Sequence, residues 1–307
     1  MKKYKIFIGL IVLILVLSAC NSNENEVYSF TEVKNNEIDH IHGLGYINEG
    51  RDFVIATHFG LYEYGKDGWK EANSQKHDYM GFQAVREGFF SSGHPEEGSE
   101  YKNPLGLIKS IDKGASFEQL AFYGEIDFHY LAAGYDSNTI YVLNEMPVED
   151  IKAGLHYSTD EGASWTEANM NGFTSKYISN LSAHPTRKEL IAIGSKDGLF
   201  ISDDYGQNFK SMNDTKNVTY VTLNETGGYY TNFGNDKVYL KSFLYESNEE
   251  INIQLPKDLN MDPIMFIAVN PENQKEIVFV TNNNNIYLTK DEGLSWSKLA
   301  SNGELAK

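Results

Sequence analysis

The chain has 307 residues, 26 Lys and Arg against 43 Asp and Glu, a formal charge of −17, 41% hydrophobic residues and a single cysteine. That acidity excludes a nucleic-acid binder, which needs clustered cations for phosphate. One cysteine excludes a disulfide framework or a Cys-rich zinc module, and the apolar content with 20 Tyr, 17 Phe and 26 Gly against 7 Pro excludes a disordered chain and points to a β-rich globular one.

The first element is an export signal. Lys2, Lys3 and Lys5 form a basic start, followed by an apolar run from Ile6 to Leu17 that closes on Leu17-Ser18-Ala19-Cys20. The run is shorter than the roughly 20 apolar residues of a membrane span and fits the core of a cleaved signal. The closing residues resemble the lipobox of bacterial lipoproteins, which implies cleavage after residue 19 and lipidation of Cys20. Loss of residues 1–19 removes three lysines and takes the formal charge from −17 to −20. The polar Asn21 to Glu26 reads as a flexible tether. The expected organisation is a signal over 1–19, lipidated Cys and tether over 20–37, one domain over 38–301 and a tail over 302–307. The expected address is the outer face of the bacterial cell membrane, with the membrane a partner through the lipid alone.

An internal repeat governs the rest. Ser110-Ile-Asp112-Lys-Gly114-Ala-Ser-Phe117 recurs as Ser158-Thr-Asp160-Glu-Gly162-Ala-Ser-Trp165, as Ser202-Asp-Asp204-Tyr-Gly206-Gln-Asn-Phe209 and as Thr289-Lys-Asp291-Glu-Gly293-Leu-Ser-Trp296. A decayed copy ends at Trp69. The closing aromatics are spaced by 48, 48, 44 and 87 residues, the last interval being close to two periods, so one copy near Tyr245 to Glu250 has lost its motif. Asp and Ser/Thr side chains satisfy amides of a tight turn, and Gly supplies a positive φ. The pattern is similar to the Asp-box (BNR) repeat, which in that family joins the third and fourth strands of a propeller blade. Asp112, Asp160, Asp204 and Asp291 are accordingly expected to be structural. Each unit also reads as short alternating strands, as in Ile178–Ala183, Glu189–Gly194 and Gly198–Ser202. Six units fit, at 38–81, 82–121, 122–170, 171–213, 214–257 and 258–301. The expected fold is all-β, a six-bladed β-propeller of four-stranded antiparallel blades closed radially, with a degenerate seventh blade as the alternative. Val27 to Val33 is expected to add a strand that closes the ring.

Six of the eight histidines, at 40, 42, 58, 77, 94 and 129, lie in the first half. Aligning the innermost strands on Leu44, Phe82, Leu131, Leu181, Val221 and Ile267 places His42, Met80, His129, Ser179, Thr219 and Met265 two positions earlier, as a ring around the channel. His58 and His94 end the second strands of blades one and two, and should reach the same rim as His40, Asp78 and Asp127. The candidate metal or ligand set is His42, His58, His94, His129, Met80 and His40. Imidazoles suit zinc or copper, and a thioether favours copper, with Asp78 or Asp127 a ligand or an orienting group. An organic ligand at this polar mouth, protein or carbohydrate, is the competing expectation.

The segments His40-Ile-His-Gly-Leu44, Ala56-Thr-His-Phe-Gly-Leu61, Met80-Gly-Phe82, Ser92-Gly-His-Pro95, Asn103-Pro-Leu-Gly-Leu107 and Asp127-Phe-His129 resemble a group of exported bacterial BNR proteins known as glycosylhydrolase-like or sortilin-like. The resemblance implies a propeller over nearly the whole mature chain and raises a glycoside hydrolase with a carboxylate pair as an alternative. Candidates for that pair are Asp78 and Asp127, with Asp39, Glu145 and Asp262 beside them. A sialidase is disfavoured, because its substrate carboxylate calls for three arginines and the chain has only Arg51, Arg86 and Arg187. The favoured expectation is a surface binding or scaffold lipoprotein.

Overall fold

The computed structural model describes residues 27–306 except 51, 149–150, 213 and 248. The expected signal and Cys20 lie outside the described residues, as does Arg51. Among the described residues the chain forms six antiparallel sheets, in each of which four strands pair in sequence order from the inside outward. Blades one to six start at the inner strands Ile41–Tyr46, Asp78–Val85, Tyr130–Ala133, Ile178–Ala183, Val218–Leu223 and Ile264–Asn270. This is a six-bladed β-propeller. The boundary expected at 81/82 cuts through the inner strand of blade two, which begins at Asp78, before its apolar middle at Phe82.

Six hydrophobic clusters lie between successive blades, which explains why second strands such as Phe53–Thr57 and Ile191–Ser195 are buried at every position. The cluster joining blades six and one contains Val278, Val280 and Leu288 from one side and Leu44, Phe53 and Trp69 from the other. That cluster closes the ring. Backbone bonds reinforce it, with the Ile38 N–H donating to Gly303 O at 2.8 Å and the Leu305 N–H to Asn36 O at 2.7 Å. Phe30–Glu32 pairs with the outermost strand of blade one, so it extends that blade instead of closing the ring as the sequence suggested. Glu304–Leu305 extends blade six in the same way. Phe30–Glu32, expected as a strand within Val27–Val33, and Glu304–Leu305, which the sequence left in the tail, take these places because each covers an outer strand edge that water alone would face.

The four repeated motifs fold alike, between third and fourth strands. In blade three Ser158 Oγ accepts the Gly162 N–H at 2.8 Å, Asp160 Oδ1 accepts the Ser164 N–H at 2.9 Å, and Ser164 Oγ donates to Asp160 Oδ2 at 2.6 Å. Blades two, four and six repeat this at Asp112, Asp204 and Asp291. The Gly must take φ near 90°, and a Cβ at Gly206 would lie 2.6 Å from Leu155 of the preceding blade. The turn is therefore also a docking point between blades. In blade five the third and fourth strands, Lys237–Leu244 and Glu250–Ile253, flank the place where the motif was lost. No helix among the described residues is long and apolar enough to cross a membrane.

Candidate functional site

The inner strands carry a repeated irregularity that aims side chains at the channel. In blade one the ladder pairs Ile41 with Thr57 and then Gly43 with Ala56, leaving His42 unpaired in a bulge. The same slip falls at Ser179, Thr219 and Met265 in blades four, five and six. Bulges re-aim a side chain out of the pleat. His42, Met80, His129, Ser179, Thr219 and Met265 line one cavity of about 190 Å³ at this end of the channel.

Packing between blades sets the next layer. Gly43 lets the inner strands of blades one and two approach so closely that a Cβ on it would sit 2.5 Å from Phe82 Cβ. His40 takes a left-handed φ of 48°, its N–H held by Asp39 Oδ1 at 2.9 Å, and its carbonyl accepts the His58 N–H at 3.2 Å. Asp78 opens the inner strand of blade two and pairs with His94 across the ladder. Ser92 Oγ, fully buried, accepts the Phe128 N–H at 2.9 Å and fixes the segment carrying Asp127 and His129.

These constraints bring His42, His58 and Asp78 together. His42 Nε2 lies 3.3 Å from His58 Nδ1 and 3.3 Å from Asp78 Oδ1, and His58 Nδ1 lies 3.3 Å from Asp78 Oδ2. Among the described residues this is the one group of three His, Cys, Asp or Glu whose ligand atoms all lie within 4.8 Å of one another. Asp78 Oδ1 is buried and accepts no hydrogen bond. Burial raises the Asp78 pKa above the ordinary carboxylate value, with His58 and His94 opposing the rise and Asp127 adding to it. Burial also pushes the His42 imidazole down to about 4, helped by the charges of His58, His40 and His129. A half-buried pair of imidazoles around a carboxylate with an unused acceptor has the chemistry of a cation site.

The other candidates divide. His94 Nε2 and His129 Nε2 lie 3.3 and 3.4 Å from Asp127 Oδ2, and Glu145 Oε2 is 3.7 Å from His129 Nδ1. The His40 ring lies 5.5 Å from that of His58, tilted by 50°, but is exposed, its Nε2 beside Asp39. Met80 lines the cavity. Asp262 does not join the mouth chemistry: its carboxylate accepts from the Asn283 N–H and from Asn285 Nδ2, tying a turn in blade six. His77 is a core residue, accepting the Glu96 N–H on Nδ1 and contacting Gln75 Oε1 through Nε2. Arg86 lines the opposite channel cavity and pairs with Asp136 and Glu272, while Arg187 pairs with Glu189. Neither is among the residues lining the cavity that His42 and His129 share. Sequence reasoning gave no role to Ser92 or to Asn103, whose Oδ1 holds His94 Nδ1 at 2.7 Å. Both act on histidines through the tertiary fold and carry no local signature.

No family model matches the chain. A stretch of 115 residues, 36% of this chain, is 30% identical to a xyloglucanase from a Paenibacillus species and spans 11% of that enzyme. The fold superposes on the GH74 enzyme of Niastella koreensis with a TM-score of 0.58 at 16% identity, covering 88% of this chain and 46% of that one. It also superposes on YCF48 from Cyanidioschyzon merolae, with a TM-score of 0.52 at 9% identity over 91% of this chain and 90% of that one. What is shared is the β-propeller. The chain spans about half the length of the GH74 enzyme and about a tenth of the xyloglucanase. At such identities the likeness to solved structures speaks for architecture, which by itself does not carry activity.

Proposed function

We propose that this chain is an exported, lipid-anchored β-propeller that binds a transition-metal ion, zinc or copper, at its channel mouth through His42, His58 and Asp78. One observation carries the reading: three donor groups spaced at 3.3 Å. Ligands about 2.0–2.1 Å from a tetrahedral ion lie about 3.3–3.4 Å from each other. Three protein ligands leave a coordination position open toward the channel, where a donor atom of a protein or carbohydrate partner can reach the ion. The formal charge of −20 expected after loss of residues 1–19 favours cations near the surface and repels anionic lipid, which suits a head held away from the membrane. Equilibrium dialysis of the chelator-stripped protein against Zn²⁺ and Cu²⁺ tests the site. Uptake that falls in His42→Ala and Asp78→Asn supports it, and no histidine-dependent uptake of either ion overturns it. Lipid attachment is tested separately, since labelled palmitate should enter the native chain and not Cys20→Ser.

A glycoside hydrolase is the second reading, favoured by the 30% identity over 115 residues with a xyloglucanase and by the resemblance of the repeats. Asp78, with its raised pKa, would be the acid and Asp127 its partner. Xyloglucan and a panel of chromogenic glycosides test it. Turnover abolished by Asp78→Asn and Asp127→Asn would displace the binding reading.

A further inference from the structure

We propose that the cleft between blades six and one, at the strand ends away from His58, receives an acidic polypeptide turn from a partner protein. The propeller itself shows what such a seam accommodates. In blades two, three, four and six the repeated turn folds over the preceding blade, where a Cβ on its Gly would meet Leu61, Leu107, Leu155 and Ile253 respectively. In three of these turns the residue before the Gly reaches one particular position on the third strand of the preceding blade. Lys113 pairs with Glu63 at 2.7 Å, Glu161 pairs with Lys109 at 2.7 Å, and the Tyr205 ring stacks on Tyr157 with centroids 4.6 Å apart. Lys109 and Tyr157 each stand one residue before the motif of their own blade. Glu63 is their equivalent, because the row Leu44, Ile55, Tyr62 in the ladder of blade one matches Leu131, Val142, His156 in blade three.

Blade one has lost this turn. Its third and fourth strands, Gly60–Gly65 and Gly68–Ala72, are joined by Lys66 and Asp67 alone, with Gly65 paired to Gly68, and the hairpin ends without folding back over blade six. The receiving position of blade six is Leu288, one residue before Thr289. It lines a cleft of about 790 Å³ together with Ser297 and Leu299 of its own blade and Phe53 and Tyr64 of blade one. Blade five, which also lacks the motif, gives the same result: Ile201 of blade four lines a cleft of about 330 Å³ with Leu244, which is 41% exposed. Glu63, Lys109 and Tyr157 receive a turn, and Leu288 and Ile201 do not. An aliphatic receiver calls for an apolar or aromatic residue before the Gly of the incoming turn, since a charge there would be buried unpaired. The rim selects the sign of the rest. Lys66 and Lys290 line the cleft, are exposed and enter no ion pair among the described residues. The carboxylates of Asp67, Glu63 and Glu276 are already held by Lys70, Lys113 and the Tyr46 hydroxyl, and that of Asp52 packs against Gly65. Two uncommitted ammonium groups beside an apolar floor complement the aspartates that such a turn carries.

A synthetic peptide copying residues 202–209, Ser-Asp-Asp-Tyr-Gly-Gln-Asn-Phe, is the probe, because an aromatic residue precedes its Gly and its aspartates can meet the two lysines. Added at millimolar concentration to the full mature chain with labelled methyl groups, it should shift the Leu288 and Leu299 resonances. Those of Leu107 and Leu155, already covered by the chain's own turns, should stay in place. Lys66→Glu/Lys290→Glu should weaken binding about tenfold, as two exposed ion pairs become repulsions. A chain in which residues 202–209 replace Lys66 and Asp67 should fill the cleft with its own turn and no longer bind the peptide. The absence of any shift at Leu288 and Leu299 overturns the proposal. So does binding that is unchanged by the charge reversal, or that persists in the grafted chain. Shifts confined to Ile201 and Leu244 put the peptide at the seam of blades four and five and overturn the assignment to this one. If a xyloglucan oligosaccharide moves Leu288 and Leu299 while the peptide does not, the cleft is a sugar groove and the proposal is again overturned.

Discussion

Replacing Asp78 by Asn should move metal binding and unliganded stability in opposite directions. The carboxylate is only 11% exposed, its Oδ1 accepts no hydrogen bond, and burial already raises its pKa. In the metal-free protein it is a cost, since an unsatisfied buried polar group carries about 1–3 kcal/mol. Asn removes the charge while keeping the shape, so the metal-free variant should melt at the wild-type temperature or above it. An ion held at 100 times its Kd adds about 2.7 kcal/mol, which for a domain of this size is about 5 °C in Tm. The variant should lose one such increment. Differential scanning calorimetry with and without Zn²⁺ or Cu²⁺ measures both quantities on the same samples. A variant that melts several degrees lower without metal and still gains the full increment would show that Asp78 is a structural ion-pair partner, and the reasoning would fail.

Ser92→Ala should destabilise the chain by about 1–3 kcal/mol in urea unfolding, because it strands the buried Phe128 N–H; an unchanged midpoint would contradict this. Gly43→Ala pushes a methyl into Phe82 and should cost about 1–3 kcal/mol as overpacking, with weaker metal uptake as the blades part. The metal-free protein should lose stability on acidification. His42, His77 and His184 have folded pKa values below their ordinary 6.5, so their contribution is full above pH 6.5 and falls as the unfolded chain takes up protons that the folded one refuses. For His42 the loss runs from 6.5 down to about 4. The repeat aspartates continue it at lower pH. Asp160 and Asp291 are held below 3.8 by hydrogen bonds from Ser164, and from Ser295 and Thr289; at Asp112 and Asp204 such bonds outweigh an opposing desolvation. Their contribution is present above 3.8 and disappears as pH drops through the folded values. A stability that rises on acidification from pH 6.5 to 4 would refute the assignment.

The architecture was written locally. A turn of Ser, Asp and Gly closes on its own hydrogen bonds, and alternation of apolar residues specifies strands, so the spacing of four motifs and the apolar runs between them determined the number of blades, the strands that carry His42 and His94 and the strands that His58 and His129 flank. Even the blade that lost its motif was countable from the doubled interval. The same locality explains why the pairing partners of the terminal strands and the role of Asp262 were not legible. Phe30–Glu32 and Glu304–Leu305 are strands only because another strand's edge is there to receive them, and Asp262 ties a turn because Asn283 and Asn285 come back beside it. The site itself was decided between blades. Asp78 reaches His42 and His58 because Gly43 admits the neighbouring strand, because a bulge turns His42 out of the ladder, and because a backbone bond from His58 to His40 holds the second ring. Donor atoms 3.3 Å apart arise from packing of segments distant in sequence, which residue order constrains only through the complete fold.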